Sequence, residues 1–64
     1  MRLNVRKIKL LLAEKQMTIA QFAKEAEMNQ ALVGTIIRRG TCSIKSAGRL
    51  AMALEVDPAV IVET

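Results

Sequence analysis

The sequence predicts an all-α protein, a compact bundle of five short helices, and three observations lead to this prediction. Hydrophobic residues make up 52% of the 64-residue chain, but Phe22 is the only aromatic one. The core must therefore consist of Leu, Ile, Val, Ala and Met, which favours helices over sheets. Apolar residues recur at helical spacing in five stretches, each after a residue suited to capping a helix. Because no linker or repeat divides them, residues 1–64 are predicted to form a single domain.

The first helix is predicted over about residues 4–16, with Asn4 as its N-cap. Its apolar residues recur every three to four positions, as on the buried stripe of a helix: Val5, Ile8, Leu11 and Leu12. Charged residues fill the positions between them, so this helix should be amphipathic.

The second helix, about two turns long, begins after Thr18. Thr18 and Gln21 have the spacing of a capping box, in which each side chain accepts a hydrogen bond from the other residue's backbone amide. The apolar residues behind this box occupy one helical face: Ile19, Phe22, Ala23 and Ala26.

The third helix is predicted over residues 30–39, with Asn29 as its N-cap. Only the residues 27–29, "EMN", separate it from the second helix. So short a connection forces the two helices to cross at a steep angle. Ala23 is small where such a crossing needs room, and Met28 can fill the space beneath the turn.

The fourth helix is predicted over residues 44–54, capped by either Ser43 or Thr41. Its apolar stripe is Ala47, Leu50, Ala51 and Leu54. A final turn or two should follow Asp57 as N-cap, because Pro58 then occupies the first helical position, which proline tolerates well.

The charge distribution favours an anionic partner. The net charge is +4, and the only charged residues between Met28 and Leu54 are basic: Arg38, Arg39, Lys45 and Arg49. The last ten residues carry acids and no base. A basic middle is typical of a surface that binds nucleic acid, although a solvated basic surface without a partner remains the alternative.

Composition argues against several other classes. Cys42 is the only cysteine and histidine is absent, so one chain cannot build a disulfide or a Cys/His zinc site, and a reducing, cytoplasmic location is expected. No apolar run approaches the length of about 18 residues that suggests a membrane span, and no signal peptide is apparent. We expect no enzymatic activity, cofactor, metal or small-molecule ligand, since nothing supplies acid–base chemistry or a cofactor loop.

The third helix has an unusual outward face. A helical wheel places Val33, Ile36 and Ile37 on the buried side with Leu32 at its edge. The opposite side holds Ala31, Gly34, Thr35 and Arg38, and it lacks any acid. Gly34 costs roughly 1 kcal/mol relative to alanine inside a helix. Close approach of the backbone to a ligand would explain it; a merely tolerated glycine is the alternative.

Several motifs occur together in a characteristic order: Ala23 in the second helix, Val33 and Ile36 in the third, then "RRGTCS" and "AGRLAMALEVDPAVI". With this order, residues 17–40 resemble the helix-turn-helix of the Cro/repressor (XRE) family, and the similarity extends over about residues 4–63. The resemblance implies a lambda-repressor-like five-helix bundle with its helix-turn-helix at about residues 18–39. It also implies a sequence-specific regulator of transcription, of phage, prophage or mobile-element type, that inserts residues 30–39 into the major groove of double-stranded DNA.

The same resemblance implies roles for individual residues. Gln30, Ala31 and Thr35 fall where the family contacts base edges, and Gly34 and Arg38 share their outward face.

Thr18 and Asn29 fall at helix starts that meet phosphates, where helix amides bind anions. Arg39, Thr41 and Lys45 lie on the basic stretch after the third helix and would contact the DNA backbone. For Arg39 and Lys45, a solvated charge without a contact remains the alternative.

Three positions depart from the family pattern. Glu27 and Glu55 stand where the family favours glycine in a left-handed conformation, which costs other residues about 1–2 kcal/mol. Ile19 stands where many relatives have a polar residue that contacts phosphate, so Ile19 belongs to the core instead or a backbone contact is lost.

The partner expected for this domain is double-stranded DNA, bound by a monomer or by a homodimer formed within the same small body. Val60, Ile61 and Val62 are candidates for such an interface, because three consecutive aliphatic residues cannot all face one core. The alternative is that two of them belong to the core and one is exposed without a partner. The main alternative is a protein-interaction module, adaptor-like or antitoxin-like, that keeps the fold without binding DNA. A membrane-surface peptide based on the first helix is a weaker alternative.

Overall fold

A computed structural model describes residues 1–63 and contains five helices in this range. They are α1 (Val5–Lys15), α2 (Ile19–Glu25), α3 (Gln30–Arg39), α4 (Ile44–Leu54) and α5 (Pro58–Ile61). The described residues form two isolated β-bridges and no sheet, so the predicted all-α class is confirmed. The first helix is one residue shorter at each end than predicted, and α3 and α4 have the predicted bounds.

Side-chain caps begin all five helices, as the sequence predicted. They are Asn4, Thr18, Asn29, Ser43 and Asp57. Both hydrogen bonds of the capping box before α2 are formed, one of 3.1 Å from the Gln21 amide to Thr18 Oγ1 and one of 2.9 Å in return. Ser43, and not Thr41, caps α4, since its hydroxyl accepts a 3.1 Å hydrogen bond from the Ser46 amide.

The core is entirely apolar within the described residues. Its largest fully buried side chains come from all five helices: Ile8, Phe22, Val33, Leu50, Leu54 and Ile61. Ala23 is buried between helices, and Met28 and Ile37 pack partly against the core. Ile19 also packs partly against it, which favours the core role for this residue over a phosphate contact.

Local sequence patterns did not predict the position of residues 1–3, which precede α1. Residues 1–3 lie between residues 40–42 and 61–63. The Leu3 amide donates to the Gly40 carbonyl (2.8 Å), the Cys42 amide to the Met1 carbonyl (2.9 Å) and the Glu63 amide to the Arg2 carbonyl (2.9 Å). Leu3 is only 3% exposed and belongs to the core. Backbone hydrogen bonds thus join residues 1–3 to the loop after α3 on one side and to residues 61–63 on the other.

Three residues other than glycine adopt the left-handed conformation. Glu27 and Glu55 do so with φ of 56° and 58°, at the two positions where a glycine is favoured, and Gln16 does so with φ of 53° at the end of α1. Gly40, after α3, has φ of 76°. The three side-chain-bearing residues therefore add local strain to a domain too small to build a large core.

The aliphatic residues near the C-terminus are mostly part of the molecule's own core. Ile61 is fully buried, and Val62 packs partly against the core and pairs with Leu3. Only Val60 has a largely open side chain. Ile61 and Val62 thus belong to the core, and Val60 is the one exposed member of the three. A homodimer interface at this end of the chain stays a prediction.

None of the helices within residues 1–63 combines the length and the apolar character needed to cross a membrane.

Candidate nucleic-acid interface

The connection between α2 and α3 fixes where α3 lies. The Met28 amide donates to the Ala23 carbonyl (2.8 Å), Glu27 turns the chain in the left-handed conformation, and Asn29 then caps α3. Val33 and Ile36 hold the inner side of α3 in the core. The helix is therefore supported from one side and presents the other to solvent.

We define the outward face of α3 as Ala31, Gly34, Thr35 and Arg38. Ala31 and Arg38 are exposed, as is Gln30 at the start of the helix, while Gly34 and Thr35 are half-exposed. A Cβ atom added to Gly34 would meet no atom of the described residues within 4 Å. Packing inside the chain therefore does not require a glycine there.

The structure restricts the chemistry of Thr35. Its hydroxyl donates a 3.0 Å hydrogen bond to the Ala31 carbonyl one turn earlier in α3. The proton of the hydroxyl is thus engaged, and what Thr35 can present is an acceptor oxygen and a methyl group.

Some of the backbone amides at the N-termini of α2 and α3 are already hydrogen-bonded to the capping side chains. Asn29 Oδ1 accepts from the amides of Ala31 (2.8 Å) and Leu32 (3.4 Å), and the Thr18 amide donates to Gln21. The expectation that these helix starts meet phosphates through their amides therefore needs modification. The carboxamide nitrogen of Asn29 and the hydroxyl of Thr18, both on exposed residues, can also donate to an anion.

The cations next to α3 are not neutralised. Arg38, Arg39 and Lys45 are exposed, and so is Thr41 between them in the chain. In the described part of the chain the one ion pair within 4 Å joins Lys15 to Glu55 (3.6 Å). Arg49 differs from the others, because it is half-buried and its guanidinium binds the Glu27 carbonyl.

Arg2 adds a cation that the sequence analysis missed. It forms an antiparallel bridge with Thr41, 39 positions later in the chain, and its side chain is exposed. No local pattern connects these two residues, so only the folded chain brings Arg2 to the basic loop.

A groove runs along one side of α3, enclosing about 470 Å³. Its two main walls are formed by Leu32, Thr35, Ile36 and Arg39 of α3 and by residues 41–43 with Ser46. We call it the α3 groove. Met1 also lines it, so the lining carries the Arg39 guanidinium and the amino terminus but no acid, which suits a ligand with negative charge.

Leu32, predicted at the edge of the buried side of α3, is about half covered. It lies on the wall of the α3 groove beside the buried Ile36 and is 48% exposed. The loop after α3 does not close over it. The outer side of α3 therefore carries one large apolar side chain beside its small and basic residues.

Cys42 lies half-buried in the same groove. Burial raises the pKa of the Cys42 thiol, an effect that the nearby amino terminus partly offsets. A thiol with a raised pKa is protonated at neutral pH and is a poor nucleophile, so it contributes only a small apolar surface to the groove.

Comparisons of this chain with models of protein families, with curated proteins and with solved structures returned no match.

Proposed function

We propose that the protein is a sequence-specific regulator of transcription that binds double-stranded DNA through a lambda-repressor-like helix-turn-helix of Cro/repressor type. One observation carries the proposal: an exposed, acid-free face of α3 lies beside cations that form no ion pair with any carboxylate of residues 1–63. The wide major groove of B-DNA admits an α-helix of this kind.

The chemistry of the outward face suits base edges. Gln30, exposed at the start of α3, can form two hydrogen bonds with adenine, and Ala31 can pack on a thymine methyl group. Thr35 can accept a hydrogen bond or contact a methyl group through the atoms that its bond to Ala31 leaves open. Arg38 can form two hydrogen bonds with guanine, and Gly34 lets the backbone come close.

The surrounding residues suit the phosphate backbone. Arg39, Lys45 and Arg2 supply positive charge, and Thr41 supplies a hydroxyl in the same loop. At the starts of α2 and α3, the Thr18 hydroxyl and the Asn29 carboxamide nitrogen would donate to phosphates. Such contacts set affinity and position and carry no sequence information.

The proposal is tested by selecting binders from a random duplex library and measuring affinity at several salt concentrations. We expect one sequence to be enriched and the dissociation constant to rise steeply with salt, since each phosphate contact releases a counterion. Failure to enrich any sequence over random DNA would refute the proposal.

Two kinds of variant separate base contacts from phosphate contacts. Gln30→Ala should weaken binding to the selected sequence by about 1–3 kcal/mol and leave random DNA almost unaffected. Arg39→Ala and Arg2→Ala should weaken both kinds of binding alike and reduce the salt slope by about one. Lys15→Ala is the matched control, because it removes the same charge from a residue already paired with Glu55.

A homodimer is part of this proposal. Two copies would place their α3 helices about 34 Å apart, the repeat of one turn of DNA. The selected sequence should then be a palindrome with that spacing, and sedimentation on a palindromic duplex should give two proteins per DNA. A single non-palindromic half-site with one bound protein would exclude the dimer.

The second candidate function is a protein-interaction module that keeps the fold without binding DNA, and the exposed side chain of Leu32 is the observation in its favour. Recovery of one stoichiometric protein partner, together with no preferred DNA sequence, would support it over DNA binding. Leu32→Ala should then abolish the partner's binding, and Arg39→Ala should reduce it less.

A further inference from the structure

Leu32 is a large apolar side chain on the helix proposed to enter the major groove, and the base and phosphate contacts proposed above do not include it. Its side chain is 48% exposed on the wall of the α3 groove. Its neighbour Val33, by contrast, is fully buried and anchors the helix. The exposure of Leu32 is therefore a property of its position on α3 and not of a loosely packed helix.

The composition of the α3 groove limits what can fill it. Thr35 and Arg39 share the α3 wall with Leu32, and Ser46 lies on the other wall. No acid lines the groove, and the exposed cations Arg38 and Lys45 are nearby in the chain. This lining is complementary to a ligand that combines negative charge with a small apolar group.

Thymine in duplex DNA has this combination, because its C5-methyl group projects into the major groove between negatively charged backbones. We propose that Leu32 contacts the methyl group of a thymine, and so makes the protein specific for a 5-methylpyrimidine at one position of its DNA site. The proposal rests on the DNA-binding function proposed above and adds a residue that selects one base by apolar contact.

The expected size of the effect follows from the burial of one methyl group. Removing that group from water against a leucine side chain changes a binding constant by about fourfold. The hydrogen-bonding edge of the base is not involved, so replacing thymine by uracil removes the contact and nothing else.

The test uses the sequence selected from the duplex library, with each thymine replaced in turn by uracil. For the unchanged protein, one replacement should weaken binding about fourfold because it removes the methyl group that Leu32 contacts. For Leu32→Ala, the thymine and uracil duplexes at that position should bind equally well. Leu32→Met should restore the preference for thymine, because its side chain is again long and apolar.

Leu10→Ala is the matched control, since Leu10 is also an exposed leucine, 57% exposed on α1. It should keep the fourfold preference for thymine. Thr35→Ser and Ala31→Gly test the competing explanation, because Thr35 and Ala31 are the other residues proposed above to contact a thymine methyl group.

The outcomes distinguish failure of the role proposed for Leu32 from failure of the proposed DNA binding. If a sequence is selected but every uracil replacement affects the unchanged protein and Leu32→Ala equally, the role of Leu32 is refuted and DNA binding stands. Loss of the preference in Thr35→Ser or Ala31→Gly and not in Leu32→Ala refutes it as well. If no sequence is selected, the failure lies with the proposed function. Thermal unfolding of Leu32→Ala, expected within about 0.5 kcal/mol of the unchanged protein, shows that the variant is folded.

Discussion

Arg49 donates a 3.2 Å hydrogen bond from Nη1 to the main-chain oxygen of Glu27. This bond joins α4 to the turn that precedes α3, across 22 positions of the chain. Glu27 is left-handed in that turn, with φ of 56°. A strained conformation persists only where surrounding contacts hold it, and Arg49 is one of those contacts. The orientation of α3 thus depends in part on a residue outside α2, α3 and the turn between them.

Replacing Arg49 by methionine should lower the free energy of unfolding by about 1 kcal/mol, because the Glu27 carbonyl loses its partner while the packing of the side-chain stem is largely kept. Urea unfolding followed by circular dichroism measures this change. Lys45→Met removes the same charge from an exposed position on α4 and should change stability by less than about 0.5 kcal/mol. Equal effects of the two replacements would show that the bond to Glu27 contributes nothing.

Glu27→Gly should stabilise the protein by up to about 1 kcal/mol, because glycine adopts the left-handed conformation without the steric cost of a Cβ atom. Glu14→Gly makes the same change of charge within α1, where it should instead destabilise by up to about 1 kcal/mol. Both free energies come from the same unfolding measurement. A destabilised Glu27→Gly variant would mean that the turn is not strained.

Gly34 and Gly48 provide a matched pair. Each lies inside a helix, and in neither case would an added Cβ meet a described atom within 4 Å. Alanine at either position should therefore raise the free energy of unfolding by about 1 kcal/mol.

The two replacements should differ in DNA binding. Gly34→Ala should weaken binding to the selected duplex by about tenfold, since the new methyl group lies where the backbone is proposed to approach DNA, and overpacking costs about 1–3 kcal/mol. Gly48→Ala should bind like the unchanged protein. A fluorescence titration with labelled duplex measures both, and equal affinities would place Gly34 away from DNA.

Leu3→Ala should destabilise the protein by about 2–4 kcal/mol, because it leaves a cavity at a side chain that is 3% exposed. Leu10→Ala, at a position 57% exposed, should change stability by less than about 0.5 kcal/mol. If the two variants unfold at the same urea concentration, the segment of residues 1–3 does not close the core.

Stability should fall at alkaline pH because of Cys42. Burial raises the pKa of its thiol in the folded protein, so the folded state retains the thiol proton to a higher pH than the unfolded state. The resulting stabilisation is fully present below the pKa of the unfolded thiol and is lost as pH rises through the higher folded pKa.

Cys42→Ala should remove this part of the pH dependence. The chain has no histidine and no tyrosine, and every other ionisable group is common to the two proteins, so the difference between them isolates Cys42. Thermal unfolding at a series of pH values compares the two proteins. Parallel curves would show that Cys42 ionises alike in the folded and unfolded states.

The sequence by itself determined the helices, because the signals for them are local. A cap such as Asn29 bonds to amides two and three residues later, and a stripe such as that of α4 repeats every turn, so both are visible within a short window. The same applies to Asp57, whereas the choice between Ser43 and Thr41 stayed open. The left-handed conformations of Glu27 and Glu55 occur where the resemblance to the family implied glycine. Local patterns also defined most of the outward face of α3.

Only the tertiary structure decided which residues from distant parts of the chain lie together. The place of Leu3 in the core, the pairing of Arg2 with Thr41 and the bond from Arg49 to Glu27 join residues 22 or more positions apart. Leu32 shows the reason most clearly. A helical wheel assigns its angle on α3, but its exposure depends on whether the loop after α3 covers that angle. Whether the loop covers Leu32 depends on the packing of the whole chain, so no local pattern predicts it.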